Sequence, residues 1–166
     1  MQNSECRILY TCVIQNDMFT KACENAIRAV LLITIKGRED KKLSIQQIAK
    51  AIDSPLPFTA KILQTLSREG LVASAKGPNG GFYIDTKAKP ITLSQVVRAM
   101  DEESVLTTCA LGLKQCSDKQ PCPIHHQVKA YKNQLSKVLH KKTVQDLAKD
   151  LTDGKTFLRS HRKVKK

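Results

Sequence analysis

Apolar and polar positions alternate along this chain in six helix-like runs and one short two-strand ribbon. In KACENAIRAVLLITIKG, Ala22, Ala26, Ala29, Val30 and Ile33 repeat at the spacing of a buried helix face, and Gly37 stops the run. The charged stretch REDKK reads as a loop. A second helix is predicted in LSIQQIAKAIDS, with Ser44 as N-cap, Gln47 three residues on as its capping-box partner, and Ile45, Ile48, Ala49 and Ile52 as the inner face. After a turn over Asp53–Pro57 a third helix runs through FTAKILQTLSREG, with Ile62, Leu63 and Leu66 facing inward and Gly70 ending it. LVASAKG and GFYIDT then form a hairpin around PNGG, where Asn-Gly tolerates positive φ.

Two short helices, a turn and a β-hairpin, in that order, are the elements of a winged helix-turn-helix. Its second helix enters the major groove of DNA and its hairpin forms the wing. ITLSQVVRAMD is a fourth helix, capped near Thr92 or Ser94, and residues 102–123 form an irregular loop. HHQVKAYKNQLSKVLH is a long amphipathic helix striped by Val128, Tyr131, Leu135, Val138 and Leu139, and TVQDLAKDL is a last short helix capped by Thr143. The long stripe has two outlets, its own domain and a second copy of the chain, and it can use both at once. The expected fold class is therefore mainly α with a small β-hairpin wing, plus a long C-terminal dimerisation helix.

Composition fits this pattern. Among 166 residues, 41% are hydrophobic but only 4% aromatic, so the core is built from Leu, Ile, Val and Ala, which favours packed helices. The formal net charge is +13. Six of the basic residues lie between Lys155 and Lys166 with no acid among them, and a surplus of seven remains elsewhere. A folded part this basic attracts polyanions, DNA first among them. No segment approaches the ~18 consecutive apolar residues of a spanning helix, so no membrane role is expected. The N-terminus lacks the apolar run of a secretory signal, so the expected location is cytoplasmic, where thiols stay reduced.

Six cysteines change the picture further. Cys109, Cys116 and Cys122 are spaced C-x6-C-x5-C in the loop, with His125 and His126 directly after and Pro121 and Pro123 flanking the third. Soft ligands gathered in a loop with little core value point to a metal. Two metal chemistries compete. Zinc accepts a Cys₃His set, here closed by His126; such a zinc-stabilised nucleic-acid-binding protein, without a sensing cluster, is the alternative function. An iron–sulfur cluster also takes thiolates and tolerates one other ligand. A zinc finger of that spacing is normally an independent module with aromatics for stacking bases, and this loop has neither property. Cys23 reads as a small hydrophobe on the first helix, and Cys6 and Cys12 are assigned no role. An enzyme is not expected, since no C-x-x-C pair, Gly-rich phosphate loop or base–nucleophile arrangement occurs.

From Met18 to about Leu151 the chain resembles the Rrf2 family of bacterial winged helix-turn-helix transcription regulators, which includes IscR, NsrR and RirA. The residues that carry the resemblance are MFTKACENAIRA, DSPLPFTAKILQTLSREGLV, the wing AKGPNGGF, ITLSQVVRAMD, the three-Cys loop ending CPIHH, and TVQDLAKDL. The resemblance implies a homodimer on an inverted-repeat operator in double-stranded DNA, sensing redox, nitric oxide or iron status through a 2Fe–2S or 4Fe–4S cluster. Carried onto this sequence, its ligands are Cys109, Cys116 and Cys122. The fourth is His125, three residues after the last cysteine, or Glu24 on the first helix, donated across the dimer. The implied DNA contacts are Phe58, Thr59, Ala60, Lys61 and Gln64 at the start of the third helix, and Lys76, Asn79 and Gly80 on the wing. Thr59 has an alternative reading as a helix cap, and Phe58 as a core anchor. The expected organisation is an unpatterned leader over 1–17, a DNA-binding and dimerisation unit over 18–151 and a basic tail over 152–166. Residues 1–17 are read as an extension or, preferably, a mis-set start ahead of Met18.

Overall fold

The computed structural model describes residues 18–156, apart from 38, 39 and 86, together with residue 158. The leader, with Cys6, Cys12 and the start-site expectation, and most of the basic tail lie outside the described residues.

Seven helices and one two-stranded antiparallel sheet appear among the described residues, in the order α1 (Lys21–Lys36), α2 (Ile45–Ile52), α3 (Leu56–Arg68), β1 (Ala73–Ala75), β2 (Gly81–Tyr83), α4 (Leu93–Ala99), α5 (Ser104–Thr107), α6 (His125–Lys141) and α7 (Val144–Thr152). Helix α1 is the hub: it packs against α2, α3, α4 and α7. Its apolar face buries Ala26, Ala29, Val30 and Ile33 completely. Ala22 stays half-buried, and Cys23 takes its place in the interior. Helices of eight, seven and nine residues, as α2, α4 and α7 are, are too short to hold alone in water. Each is closed by a full capping box, Ser44–Gln47, Thr92–Gln95 and Thr143–Asp146, and each such cap is worth about 1 kcal/mol. Packing supplies the rest.

Helix α3 begins at Leu56, two residues ahead of the expected start. Pro57 sits in its first turn, where its missing N–H costs nothing. Asp53, in the left-handed conformation at φ 54°, closes α2 and turns the chain into α3. In the wing, Ala73 pairs with Tyr83, Ser74 with Phe82 and Ala75 with Gly81. Leu43 bridges the other edge of β2, donating to and accepting from Phe82 at 2.9 and 2.8 Å. The expected positive φ at Asn79-Gly80 is corrected: the left-handed values fall at Gly77 and Gly81 instead. Gly80 is needed for a different reason, since a Cβ there would lie 2.4 Å from the Ala75 carbonyl oxygen.

The C-terminal half returns to the same core. The N-termini of α4 and α7 clasp each other: Val144 N donates to Ile91 O at 2.7 Å and Leu93 N to Lys142 O at 3.1 Å. Val144 and Ala148 thereby join the main core. A second apolar cluster, Cys23, Val97 and Leu139 with Leu106 and Leu135 against it, fixes α5 and α6 to α1 and α4. Beside it Ser94, itself buried, meets His140 Nε2 at 3.1 Å. The α6 stripe is therefore divided. Leu135 and Leu139 pack on the chain's own domain, whereas Tyr131 and Val138 stay more than half exposed, at 56% and 54%.

Candidate metal centre and nucleic-acid interface

Between α5 and α6 the chain advances by tight turns, and the cysteines stand at their ends. Gly112 N donates back to Cys109 O at 2.9 Å, with Gly112 left-handed; Cys116 N donates to Leu113 O at 3.3 Å; His125 N donates to Cys122 O at 3.0 Å. Ser117 and Gln120 exchange a reciprocal pair of backbone bonds between them. These turns bring the sulfurs of Cys109, Cys116 and Cys122 within 4.8 Å of one another, with Cys109 and Cys122 3.9 Å apart.

His125, the first residue of α6, adds an imidazole. Its Nδ1 lies 3.2 Å from Cys116 Sγ, and its Nε2 lies 2.9 Å from Asp118 Oδ1. Both Asp118 oxygens accept from Lys129 Nζ, at 2.7 and 2.6 Å. Lys132 Nζ donates to the carbonyl of Thr108, on the near side of Cys109. His126, the histidine of the zinc alternative, is exposed and stacks edge-on against the His125 ring at 5.2 Å; the imidazole at the thiols is that of His125. Glu24 is not brought to the triad within the chain. It is ion-paired on α1 with Lys21 at 3.1 Å and Arg28 at 3.9 Å.

The donor set suits a soft metal. A cavity of about 350 Å³ opens beside the sulfurs, lined by all three cysteines, His125, Lys129 and Lys132. That is far more than the ~30 Å³ a water-sized occupant takes, so the site has room for a group larger than one ion. The thiols are not equivalent. The backbone N–H groups of Leu113 and then Leu111 hold the Cys109 thiol down at about 7, assisted by Cys116 and Cys122 against partial desolvation. At Cys116 the N–H of Cys122 pulls downward, but desolvation and the neighbouring thiols outweigh it and the thiol is raised. Lys129, then His125, hold Asp118 at about 2, so it is ionised at any physiological pH. Cys23 is pushed up to about 12, first by burial and then by Glu102 and Glu24.

Iodoacetamide should therefore discriminate among these thiols in the metal-stripped protein. A lowered thiol gains thiolate as pH rises through its own value. Cys109 is expected to react first, half-maximally near pH 7, with Cys116 following at higher pH and Cys23 protected while the fold persists. Peptide mass mapping across pH 6–9 reads the order. Equal labelling of Cys109 and Cys116 would contradict it.

Of the residues expected to meet DNA, Lys61 and Gln64 are exposed on α3, and Lys76 and Asn79 on the wing; Ala60 and Gly80 are half-buried. Thr59, expected on or near the exposed face, is corrected: it is fully buried, and its hydroxyl donates to Pro55 O at 3.0 Å. It is not the helix cap either, since Pro55 holds that position. It sets the start of α3 from within. Phe58 packs half-buried against the core, the anchor reading. Lys42, which the pattern did not single out, holds its ammonium 5.8 Å from the centre of the Tyr83 ring and adds a cation beside the wing.

No helix among the described residues is long and apolar enough to cross a membrane. Residues 19–150 match the family model Rrf2, described as "Iron-dependent Transcriptional regulator". An HTH-type transcriptional regulator of Aquifex aeolicus is 29% identical over 132 residues, 78% of this chain and 90% of the relative. Protein aau3 of Rhizobium meliloti is 31% identical over 131 residues, 78% and 84% of the two chains. IscR of Vibrio campbellii is 26% identical over 125 residues, 75% and 73%. Two solved structures share the fold: CymR, the global cysteine regulator of B. subtilis (TM-score 0.62, 18% identity, 79% of this chain and 95% of that one), and T. potens IscR (TM-score 0.61, 17% identity, 85% and 93%). Winged helix, wing and C-terminal helices are thus the architecture expected from the sequence, and the A. aeolicus and V. campbellii relatives are named as transcriptional regulators rather than enzymes. With four-fifths of its length matched, this chain belongs to the Rrf2 family of transcriptional regulators.

Proposed function

We propose that this regulator senses iron or iron–sulfur status through a cluster held by Cys109, Cys116 and Cys122, with His125 as fourth ligand. The observation that carries the proposal is the convergence of three loop thiols and one imidazole on a single cavity. The family description as iron-dependent supports the same metal. When bound, such a cluster supplies an iron- and redox-sensitive group whose presence depends on the cell's state. The chain's own part is to present thiolates, Cys109 most readily, and to tie the loop to α6. Zinc is the second reading. A tetrahedral site with ~2.3 Å zinc–sulfur bonds has sulfurs about 3.8 Å apart, and Cys109 and Cys122 lie 3.9 Å apart.

In this proposal the protein works in the cytoplasm, on double-stranded DNA, as a homodimer built from the unit 18–151. Exposed Tyr131 and Val138 on α6 offer apolar surface to a second copy, from which Glu24 is the alternative fourth ligand. A two-fold dimer presents two α3 helices and two wings, so its operator is an inverted repeat with half-sites about 34–36 Å apart. Lys61 and Gln64 then face base edges in the major groove, and Lys76 and Asn79 meet phosphates or the minor groove.

Fluorescence anisotropy on operator and random duplex, at several salt concentrations, tests both halves. Lys76→Ala should weaken binding to both DNAs and flatten the salt slope by about one unit for each phosphate it no longer neutralises. Gln64→Ala should narrow the gap between the DNAs and leave the slope alone. Unchanged affinity and slope for Lys76→Ala would remove the wing from the interface. Loaded and stripped wild type should differ about fivefold or more on the operator, whereas identical curves would make the metal site structural.

A further inference from the structure

We propose that Asp118, clamped by Lys129, is the positioning residue that aims His125 at the metal: its carboxylate accepts the Nε2 proton and so leaves the Nδ1 lone pair facing the thiol triad. This rests on the reading of His125 as fourth ligand and adds the group that makes it one.

An imidazole has two nitrogens, and only the unprotonated one ligates. Which one that is follows from the hydrogen bond made by the other. Here Asp118 Oδ1 stands 2.9 Å from Nε2 and Cys116 Sγ stands 3.2 Å from Nδ1, on opposite edges of one ring. An ionised carboxylate has no proton to give, so Nε2 is the donor, and in the neutral ring that can ligate a metal Nδ1 is left bare. The carboxylate itself is immobilised, because both its oxygens are held by Lys129 at 2.6–2.7 Å. His125 and Lys129 are four residues apart at the start of α6, hence on one helix face, and Asp118 bridges them from the loop between Cys116 and Cys122.

Stability does not explain this arrangement. The Asp118 side chain is 65% exposed and that of Lys129 48%, and exposed ion pairs contribute ~0–1 kcal/mol. The His125 side chain, by contrast, is only 15% exposed. The exposed pair thus holds a mostly covered ring in one orientation, as an outer-shell carboxylate does for a ligating histidine.

The test uses full-length protein stripped of metal and zinc ion alone as probe, in competition with a chromophoric chelator. Asp118→Asn is expected to weaken zinc binding 10–100-fold, the usual effect of losing an outer-shell partner, and Asp118→Glu to recover most of the loss. His125→Ala should weaken it at least as much, and the Asp118→Asn/His125→Ala double variant no further than His125→Ala alone. Nitrogen-15 NMR of the side chain should give protonated Nε2 and bare Nδ1 in wild type, and mixed tautomers in Asp118→Asn. Wild-type affinity in Asp118→Asn beside a weakened His125→Ala would overturn the role of Asp118 alone, as would losses that add in the double variant. Unchanged affinity in His125→Ala would overturn the ligand assignment and this inference with it. Neither result touches the iron and sulfide content that tests the cluster.

Discussion

Single replacement of Cys109, Cys116 or Cys122 by alanine is expected to abolish metal retention and leave the protein folded. The sulfurs converge on one cavity, so each loss opens a coordination position that no other described thiol can fill. The fold does not depend on them. Cys109 and Cys116 are only half-buried, and Cys122, though 9% exposed, belongs to neither apolar cluster. Truncating any one should cost about 1 kcal/mol or less, on the scale of a buried methylene. Cys23→Ala is the control with the opposite signature. It removes a fully buried atom from the α1–α4–α6 junction, so it should lower Tm and keep its iron. Iron content, circular dichroism and gel filtration on the four variants separate the cases. Normal iron in any loop variant would remove that cysteine from the ligand set.

The second large effect comes from two neighbours on α3. Leu63 is fully buried in the main core, whereas Gln64 is exposed beside it. Leu63→Ala leaves a cavity in the main core and should destabilise by about 2–5 kcal/mol, a large share of the roughly 5–15 kcal/mol that holds a domain together. Gln64→Ala should stay within about 0.5 kcal/mol of wild type and reveal itself only on DNA. Urea unfolding measures both. A Leu63→Ala midpoint equal to wild type would mean that α3 is not packed against α1 and α2.

How much of this was legible in the sequence depends on the range of the forces involved. Capping is local: Ser44 and Thr143 can each be named as a helix start from a few neighbouring residues, and the start of α4 narrows to Thr92 or Ser94. The start of α3 is not legible, because Pro57 reads as a breaker although a first helical turn accepts it. The left-handed position at Gly81 is not legible, because Gly81 answers to Leu43, whose carbonyl oxygen would lie 2.6 Å from a Cβ at that position. No window of residues around the turn contains that approach. Thr59 looked polar and exposed by type, but the interior faces it. The α6 stripe is legible as apolar and as open to both outlets, but not which residues serve which, since what covers Leu135 and Leu139 comes from α1, α4 and α5.

At the metal centre the ligand types and their spacing were readable, and the histidine was readable only through resemblance. Zinc spacing pointed to His126, while the helix start turns His125 toward Cys116. Asp118 gave no signal of its own, being one acid in a loop of polar residues. Its meaning appears only when His125 and Lys129 are placed one helical turn apart.

The most direct measurement is iron, acid-labile sulfide and zinc content, with a visible spectrum, on protein purified anaerobically. Iron and sulfide in equal amounts, with visible absorption that disappears in Cys109→Ala, Cys116→Ala and Cys122→Ala, is the expected result. Colourless protein carrying one zinc per chain and no sulfide would contradict the cluster and leave a zinc-stabilised DNA-binding protein.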